Sequence, residues 1–238
     1  MAANLQSLFL KTAKWALKIL AGLILLSVLM VLSLRWINPQ TSSFMLQRNA
    51  AAWWNGEENF ELYYRWSDWE EINSSIKVAA IASEDQAFAD HWGIDFSSIN
   101  KALEEYQRGE DLRGASTITQ QTAKNLFLWP GQSYIRKGIE AYFALLMEFL
   151  WPKERILEVY LNIAEFGDGI YGVQAAGARY FNATPAQLSR SQSALMVTAL
   201  PAPKRYNLAR PSGYMIQRRN WVLRYMNLLG NSAYLDRL

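Results

Sequence analysis

The chain has 238 residues, half of them apolar (51%) and 13% aromatic, with a mild net charge of +3. That length holds one helical domain plus an anchor. The Lys and Arg residues are spread along the chain, not packed into a nucleic-acid stripe. The absence of Cys excludes disulfides and thiolate metal centres, and a single His, His91, argues against a His-based metal site or a serine triad.

At the N-terminus Lys11, Lys14 and Lys18 precede an uncharged run from Ile19 to Leu34. Sixteen helical residues cover about 24 Å, short of the ~30 Å hydrocarbon core. Extension over residues 16–37 closes the gap, because Lys18 and Arg35 can snorkel and Trp36 suits the interface. A cleaved signal peptide shares the basic start and apolar core, but the run is long for one and no small-x-small cleavage site follows promptly. The spacing therefore predicts a cytoplasmic tail over 1–15, an uncleaved single transmembrane helix over 16–37, and a domain on the far side of the membrane.

Residues 38–70 are polar and aromatic, with Trp53, Trp54, Tyr63, Tyr64, Trp66 and Trp69. They read as a linker and membrane-side segment, the rings serving either a core of short helices or the bilayer interface. The main domain is expected over 71–238. Val78 to His91 reads as a helix end against a core, with apolar Ala79, Ala80, Ile81, Ala82, Ala87 and Phe88. It carries the adjacent carboxylates Glu84 and Asp85. Beside small and aromatic neighbours such a group can act as a general base, although a solvated acidic pair has the same sequence.

From Arg113 to Asn125 a glycine-bearing approach leads into hydroxyls and a polar helical turn. Ser116 and Thr117 are good N-caps, so a helix starts there. Gln121 and Lys124 then share a face at i,i+3. A helix N-terminus, two amides and an ammonium would suit an anion and a sugar. Trp129-Pro130-Gly131 is a loop, and Tyr134 to Leu150 a helix with Ile139, Phe143, Leu146 and Leu150 recurring at threes and fours. On it Arg136 and Glu140 are spaced i,i+4, as in a surface ion pair. Pro152 closes that helix, and Lys153–Ala164 and Val173–Tyr180 follow. The glycines between Phe166 and Gly172 suit a tight connection better than a phosphate cradle. Further helices are expected after Thr184-Pro185 and over Gln217–Leu229, the last amphipathic and suited to packing on the domain or touching headgroups. No repeat and no persistent strand alternation is present, so the class is all-α.

Five stretches stand in a fixed order. They are Glu84-Asp85-x-x-Phe88-x-x-His91-x-Gly93, then Gly114-x-Ser116-Thr117-Ile118-Thr119-Gln120-Gln121-x-x-Lys124-Asn125-Leu126, then Arg136-Lys137-x-x-Glu140-x-x-x-Ala144. Ile156-Leu157-Glu158-x-Tyr160-Leu161-Asn162 with Gly167 and Gly172-Val173 comes fourth, and Ala199-Leu200-Pro201 with Pro203 fifth. Together they resemble the motifs of the peptidoglycan glycosyltransferases, the polymerising domains of bifunctional penicillin-binding proteins and their monofunctional relatives.

The resemblance implies a lysozyme-like helical lobe with a small membrane-proximal lobe. It implies a reaction joining lipid II disaccharides by β-1,4 linkage with release of undecaprenyl pyrophosphate. Glu84 would be the catalytic base and Glu140 a second catalytic carboxylate. Asp85, Phe88, Ser116, Thr117, Gln121, Lys124, Asn125, Arg136 and Lys137 would bind substrate, the cations facing the pyrophosphate. No metal site and no required cofactor are implied, which leaves room for a divalent cation assisting the pyrophosphate. The expected partners are lipid II, the lipid-linked glycan chain and the bilayer, with room for other cell-wall synthesis and division proteins and none for nucleic acid. The expected place is the bacterial inner membrane, with the N-terminus cytoplasmic and the catalytic domain periplasmic.

Two other functions fit parts of the pattern. A lysozyme-type lytic enzyme also uses one Glu on a helical fold, but cleaving a glycoside releases no pyrophosphate for the cations to meet. A non-catalytic anchored scaffold would need none of the motif side chains. Ser74-x-x-Lys77 matches the pattern of penicilloyl-accepting serines, yet no K-T-G follows and no second domain fits. The protein is therefore expected to be monofunctional and indifferent to β-lactams.

Overall fold

The computed structural model describes residues 2–109 and 116–238, with side chains from residue 10 onward. The chain divides into two units, residues 1–37 and 38–238. The first is a single helix, α1 (Ala2–Ser33), followed by a turn. Its stretch Leu10–Ser33 is the one helix among the described residues long and apolar enough to cross a membrane. Twenty-four helical residues reach about 36 Å, enough for a ~30 Å hydrocarbon core. The helix ends at Ser33, and turns follow it.

The second unit is helical, as its periodicities predict. In chain order it has α2 (Ser43–Trp54), β1 (Tyr63–Tyr64), α3 (Ser74–Glu84), α4 (Phe96–Gln107), α5 (Ile118–Phe127) and α6 (Tyr134–Leu150). It continues with α7 (Lys153–Ile163), β2 (Glu165–Gly167), β3 (Ile170–Tyr171), α8 (Gly172–Phe181), α9 (Arg190–Met196) and α10 (Gly213–Leu228), and closes on a 3-10 segment, Asn231–Arg237. Two helices form its interior. In α3 every residue from Ile76 to Ala82 is buried, and in α7 every residue from Arg155 to Ile163. A helix covered on all sides needs apolar or paired side chains all round, and these have them. The alanines of α3 leave room for close approach by α9 and α10, while each fully buried Ile or Leu contributes roughly 1.5–3 kcal/mol. α5 lies against both α6 and α7.

The strands form a small sheet in the order β1-β3-β2, with β1 parallel and β2 antiparallel to β3. The glycines around the β2–β3 turn are held by protein, in keeping with a tight connection. A Cβ on Gly172 (φ +82°) would lie 2.4 Å from the Asn162 carbonyl, and one on Gly169 (φ +75°) 2.8 Å from the Phe60 ring.

Some boundaries differ from expectation, and α10 starts at Gly213, four residues before Gln217. The helix read over Val78–His91 stops at Glu84, because Asp85 leaves the helix (φ −162°, ψ 77°) and spends its carboxylate elsewhere. The helix expected after Thr184 begins as one 3-10 turn (Pro185–Gln187), and the α-helix proper starts at Arg190 with Ser189 as its N-cap.

Candidate active site

Glu84 is the last residue of α3, where the helix dipole is negative and opposes an ionised carboxylate. Burial pushes its carboxyl above the ordinary range. Two donors partly offset this, the Ser83 hydroxyl at 2.8 Å and the Gln121 amide at 3.1 Å. The result is a carboxylate poised to take a proton.

Asp85 points the other way. Its carboxylate accepts the Ile118 backbone N–H at 2.9 Å and holds the His91 ring nitrogen Nε2 at 2.9 Å. It therefore fills the N-terminus of α5, satisfying an orphan N–H and the positive end of the dipole. Thr117 and Gln120 complete that end as a reciprocal capping box, and the Thr117 hydroxyl donates to the Gly93 carbonyl at 2.5 Å. The anion site expected at this helix end is thus occupied by the protein's own carboxylate. Phe88 is fully buried, edge-on to His91, so it supports this junction and does not face the cleft.

Along α5 the shared face of Gln121 and Lys124 is real. Both line a cavity of ≈370 Å³ with Asn125, Phe44, Tyr160 and Glu165. On the other side of Gln121 a larger cleft of ≈1160 Å³ holds Glu84, Ser116 and Thr117, walled by α4 and α10. Pro201, from the fifth motif, lines both. Lys124 is half-buried above the Phe44 ring at 5.6 Å. Among the described residues no carboxylate pairs with it. Burial pushes its ammonium below the usual lysine range, with Glu140 and Glu84 pulling upward and Arg136 and Lys137 downward. It stands within the field of both carboxylates.

On α6 the Glu140 carboxylate takes Arg136 on one oxygen at 2.6 Å and Lys137 on the other. Lys137 also reaches the Ser116 hydroxyl at 3.2 Å, tying α6 to the start of α5. Arg136 and Glu140 are not a surface pair: their side chains are 9% and 3% exposed. One carboxylate against two cations leaves a positive charge in excess, and with both oxygens engaged Glu140 is built to orient cations. Arg113, Gly114 and Ala115 lie outside the described residues.

Three features escaped sequence reasoning. Tyr160 of α7 donates to the Gln121 amide oxygen at 3.1 Å. Glu148 accepts from both Thr119 (2.6 Å) and Lys153 (2.7 Å), and Lys153 donates on to the His91 carbonyl at 2.7 Å, a buried chain with no spacing signal. Arg218 of α10 reaches the end of α3. The Ser74-x-x-Lys77 pattern sits in the first turn of α3, where the Lys77 ammonium donates to the Trp69 carbonyl at 2.7 Å and covers its ring. Among the described residues no three His, Asp or Glu side chains converge to hold a metal ion.

The transglycosylase family model matches residues 55–227. A biosynthetic peptidoglycan transglycosylase of Stutzerimonas stutzeri is 48% identical over 221 residues, covering 93% of this chain and 91% of the relative. Proteins of the same name are 49% identical in Xylella fastidiosa (92% and 90% covered) and 46% identical in Pseudomonas entomophila (98% and 97%). With matched residues running from just after α2 into the last turn of α10, and so spanning Glu84, Lys124 and the α6 cluster, the chain belongs to the transglycosylase family.

Proposed function

We propose that this chain polymerises lipid II into glycan strands at the outer face of the bacterial inner membrane. Lys124 carries the reading: a half-buried ammonium facing a cavity, with no carboxylate paired to it among the described residues, suits an anion from outside. A leaving pyrophosphate supplies one. In the proposed reaction the sugar 4-hydroxyl of lipid II gives its proton to Glu84 as its oxygen attacks the anomeric carbon of the growing chain. The bond from that carbon to the pyrophosphate oxygen breaks, and the electron pair leaves with undecaprenyl pyrophosphate. Lys124, Arg136 and Lys137 stabilise the departing charge, with Glu140 fixing the last two. The hydroxyls of Ser116 and Thr117 and the amides of Gln121 and Asn125 are assigned to the sugars, and Asp85 and Phe88 to holding the α3–α5 junction.

Both lipid substrates are confined to the bilayer, which suits a catalytic domain over 71–238 on an N-terminal anchor. The highly exposed Trp53 and Trp54 on α2 support residues 38–70 as the membrane-side segment. Lys11, Lys14 and Lys18, ahead of the uncharged run Ile19–Leu34, support a cytoplasmic N-terminus. No cofactor is needed to balance the reaction. The test is purified full-length protein with lipid II, with and without a chelator, alongside Glu84→Gln. Glycan strands should form in both conditions and fall by about 10²–10⁴-fold in the variant. Clearing of cell-wall sacculi without polymerisation would instead indicate a lytic enzyme.

A further inference from the structure

Arg218 lies on α10, outside the five motif stretches, yet it faces the catalytic end of α3. Its guanidinium donates through Nη2 to the Ser83 carbonyl at 3.2 Å. Ser83 immediately precedes Glu84, and carbonyls in a last helical turn lack helical partners, so this bond anchors the turn that carries the base. The same Ser83 donates its hydroxyl to Glu84 at 2.8 Å. The Arg218 Cζ in turn lies over the Trp221 indole, 3.9 Å from its centroid, and Trp221 packs on Tyr225 at 4.1 Å. Arg218 and Trp221 line the larger cleft together with Glu84.

We propose that Arg218 is a positioning residue for Glu84, fixing the end of α3 through the Ser83 carbonyl and supplying the positive charge that balances the carboxylate. The inference rests on Glu84 being the base.

The charges around Glu84 single out Arg218. Asp85 follows it in the chain and disfavours its ionisation. Lys124 from α5 interacts with it, and Tyr160 from α7 is neutral. His91 is bonded to Asp85, and Asp90, across the cleft, is paired with Arg237. Lys101 and Glu105 of α4 line the far wall with opposite signs. Burial pushes the Glu84 carboxyl up, while the donors Ser83 and Gln121 and then the charge of Arg218 pull it back. An unopposed buried carboxylate would hold its proton into the neutral range and be a poor base there.

The experiment is the pH profile of kcat/KM on lipid II for full-length wild type, Arg218→Gln, Arg218→Lys, Arg218→Ala and Glu84→Gln, with a melting temperature for each. Wild-type activity should fall on the acid side as Glu84 takes its proton. Gln keeps a donor for Ser83 and loses the charge, so its acid limb should move to higher pH by roughly half a unit to one unit, the scale of a partly solvated opposite charge. At a pH below the limb that is a loss of about three- to tenfold, shrinking as the pH rises. Arg218→Lys should leave the limb in place, and Arg218→Ala should move it and lower the alkaline plateau as well. Limbs at the wild-type pH in folded Gln and Ala variants would overturn the proposal, as would a Lys variant displaced like Gln. An active Glu84→Gln enzyme would overturn the assignment of the base itself, a result distinct from an unmoved limb.

Discussion

The side-chain amide of Gln121 joins the two cavities of the site, donating to Glu84 through Nε2 at 3.1 Å and accepting from the Tyr160 hydroxyl through Oε1 at 3.1 Å. Burial holds the Tyr160 phenol protonated well above its usual range, so it keeps the O–H that it gives to the amide oxygen. In this amide orientation Glu84 meets an N–H, the donor an ionised carboxylate requires.

Gln121→Glu reverses this. Two carboxyls about 3 Å apart cannot both ionise, so the pair would share a proton and titrate as a unit. Glu84 would be free to accept a proton only at higher pH. Polymerisation by Gln121→Glu should be at least tenfold below wild type at neutral pH and recover as the pH is raised toward 9. A rate within twofold of wild type at pH 7 would show that the amide does not contact the base during turnover.

Glu84→Gln should raise stability while abolishing activity. The Glu84 carboxyl is raised above 4.5 in the folded state by burial. The folded protein therefore binds this proton more tightly than the unfolded chain. The stability gained is fully present below the unfolded value and is lost as pH rises through the raised folded value. At neutral pH the ionised group is a cost, which the neutral amide removes. The melting temperature of Glu84→Gln should exceed that of wild type at pH 7–8, with the difference vanishing near pH 4. A lower melting temperature at neutral pH would mean that Ser83, Gln121 and Arg218 stabilise the carboxylate more than burial penalises it.

Where local chemistry decides, the sequence is readable. The limits of α6 follow from apolar periodicity and Pro152, and the start of α5 from the Thr117 cap. The face of α6 does not. Its buried residues are Arg136, Glu140, Ala144 and Met147, while Ile139, Phe143, Leu146 and Leu150 are half-buried, so the apolar stripe borders the packed side without marking its centre. An i,i+4 Arg–Glu spacing is the same at the surface and in the core, and only tertiary packing tells them apart. The end of α3 is set by Asp85 reaching Ile118, thirty-three residues away, which leaves no local signal. Strands of two or three residues are too short to show alternation. α4 did leave a mark, since Asp95 caps it by accepting from Ser98.

Removal of residues 1–37 should leave a folded protein, because the chain divides at that point and the buried core of residues 38–238 is its own. Its circular dichroism and melting should be cooperative. Its rate on lipid II in liposomes should nonetheless fall at least tenfold relative to full-length protein, and by much less in detergent. A tether confines enzyme and substrate to one surface and raises their effective concentration without adding a contact. Equal rates in liposomes would reduce α1 to a targeting device.

The last prediction concerns Arg136, Lys137 and Glu140. As an exposed pair, Arg136 and Glu140 would contribute less than about 1 kcal/mol. They are buried, and removing one partner of a buried pair costs up to about 3–5 kcal/mol, here lessened because Lys137 still meets Glu140. Arg136→Ala should therefore lower the melting temperature, by roughly 2–4 °C per kcal/mol in a domain of this size. A loss of activity in that variant alone would not separate structure from catalysis. Arg136→Lys does, because it keeps the charge and surrenders the planar fork that suits a phosphate. We expect Arg136→Lys to retain most of the thermal stability and to lose at least tenfold in turnover. Glu140→Gln should lose at least tenfold as well, since Arg136 and Lys137 would no longer be held by a charged acceptor. Steady-state turnover on lipid II, measured below the melting transition of each variant, decides the matter. If both variants turn over within twofold of wild type, the α6 cluster is architectural and Lys124 alone meets the pyrophosphate.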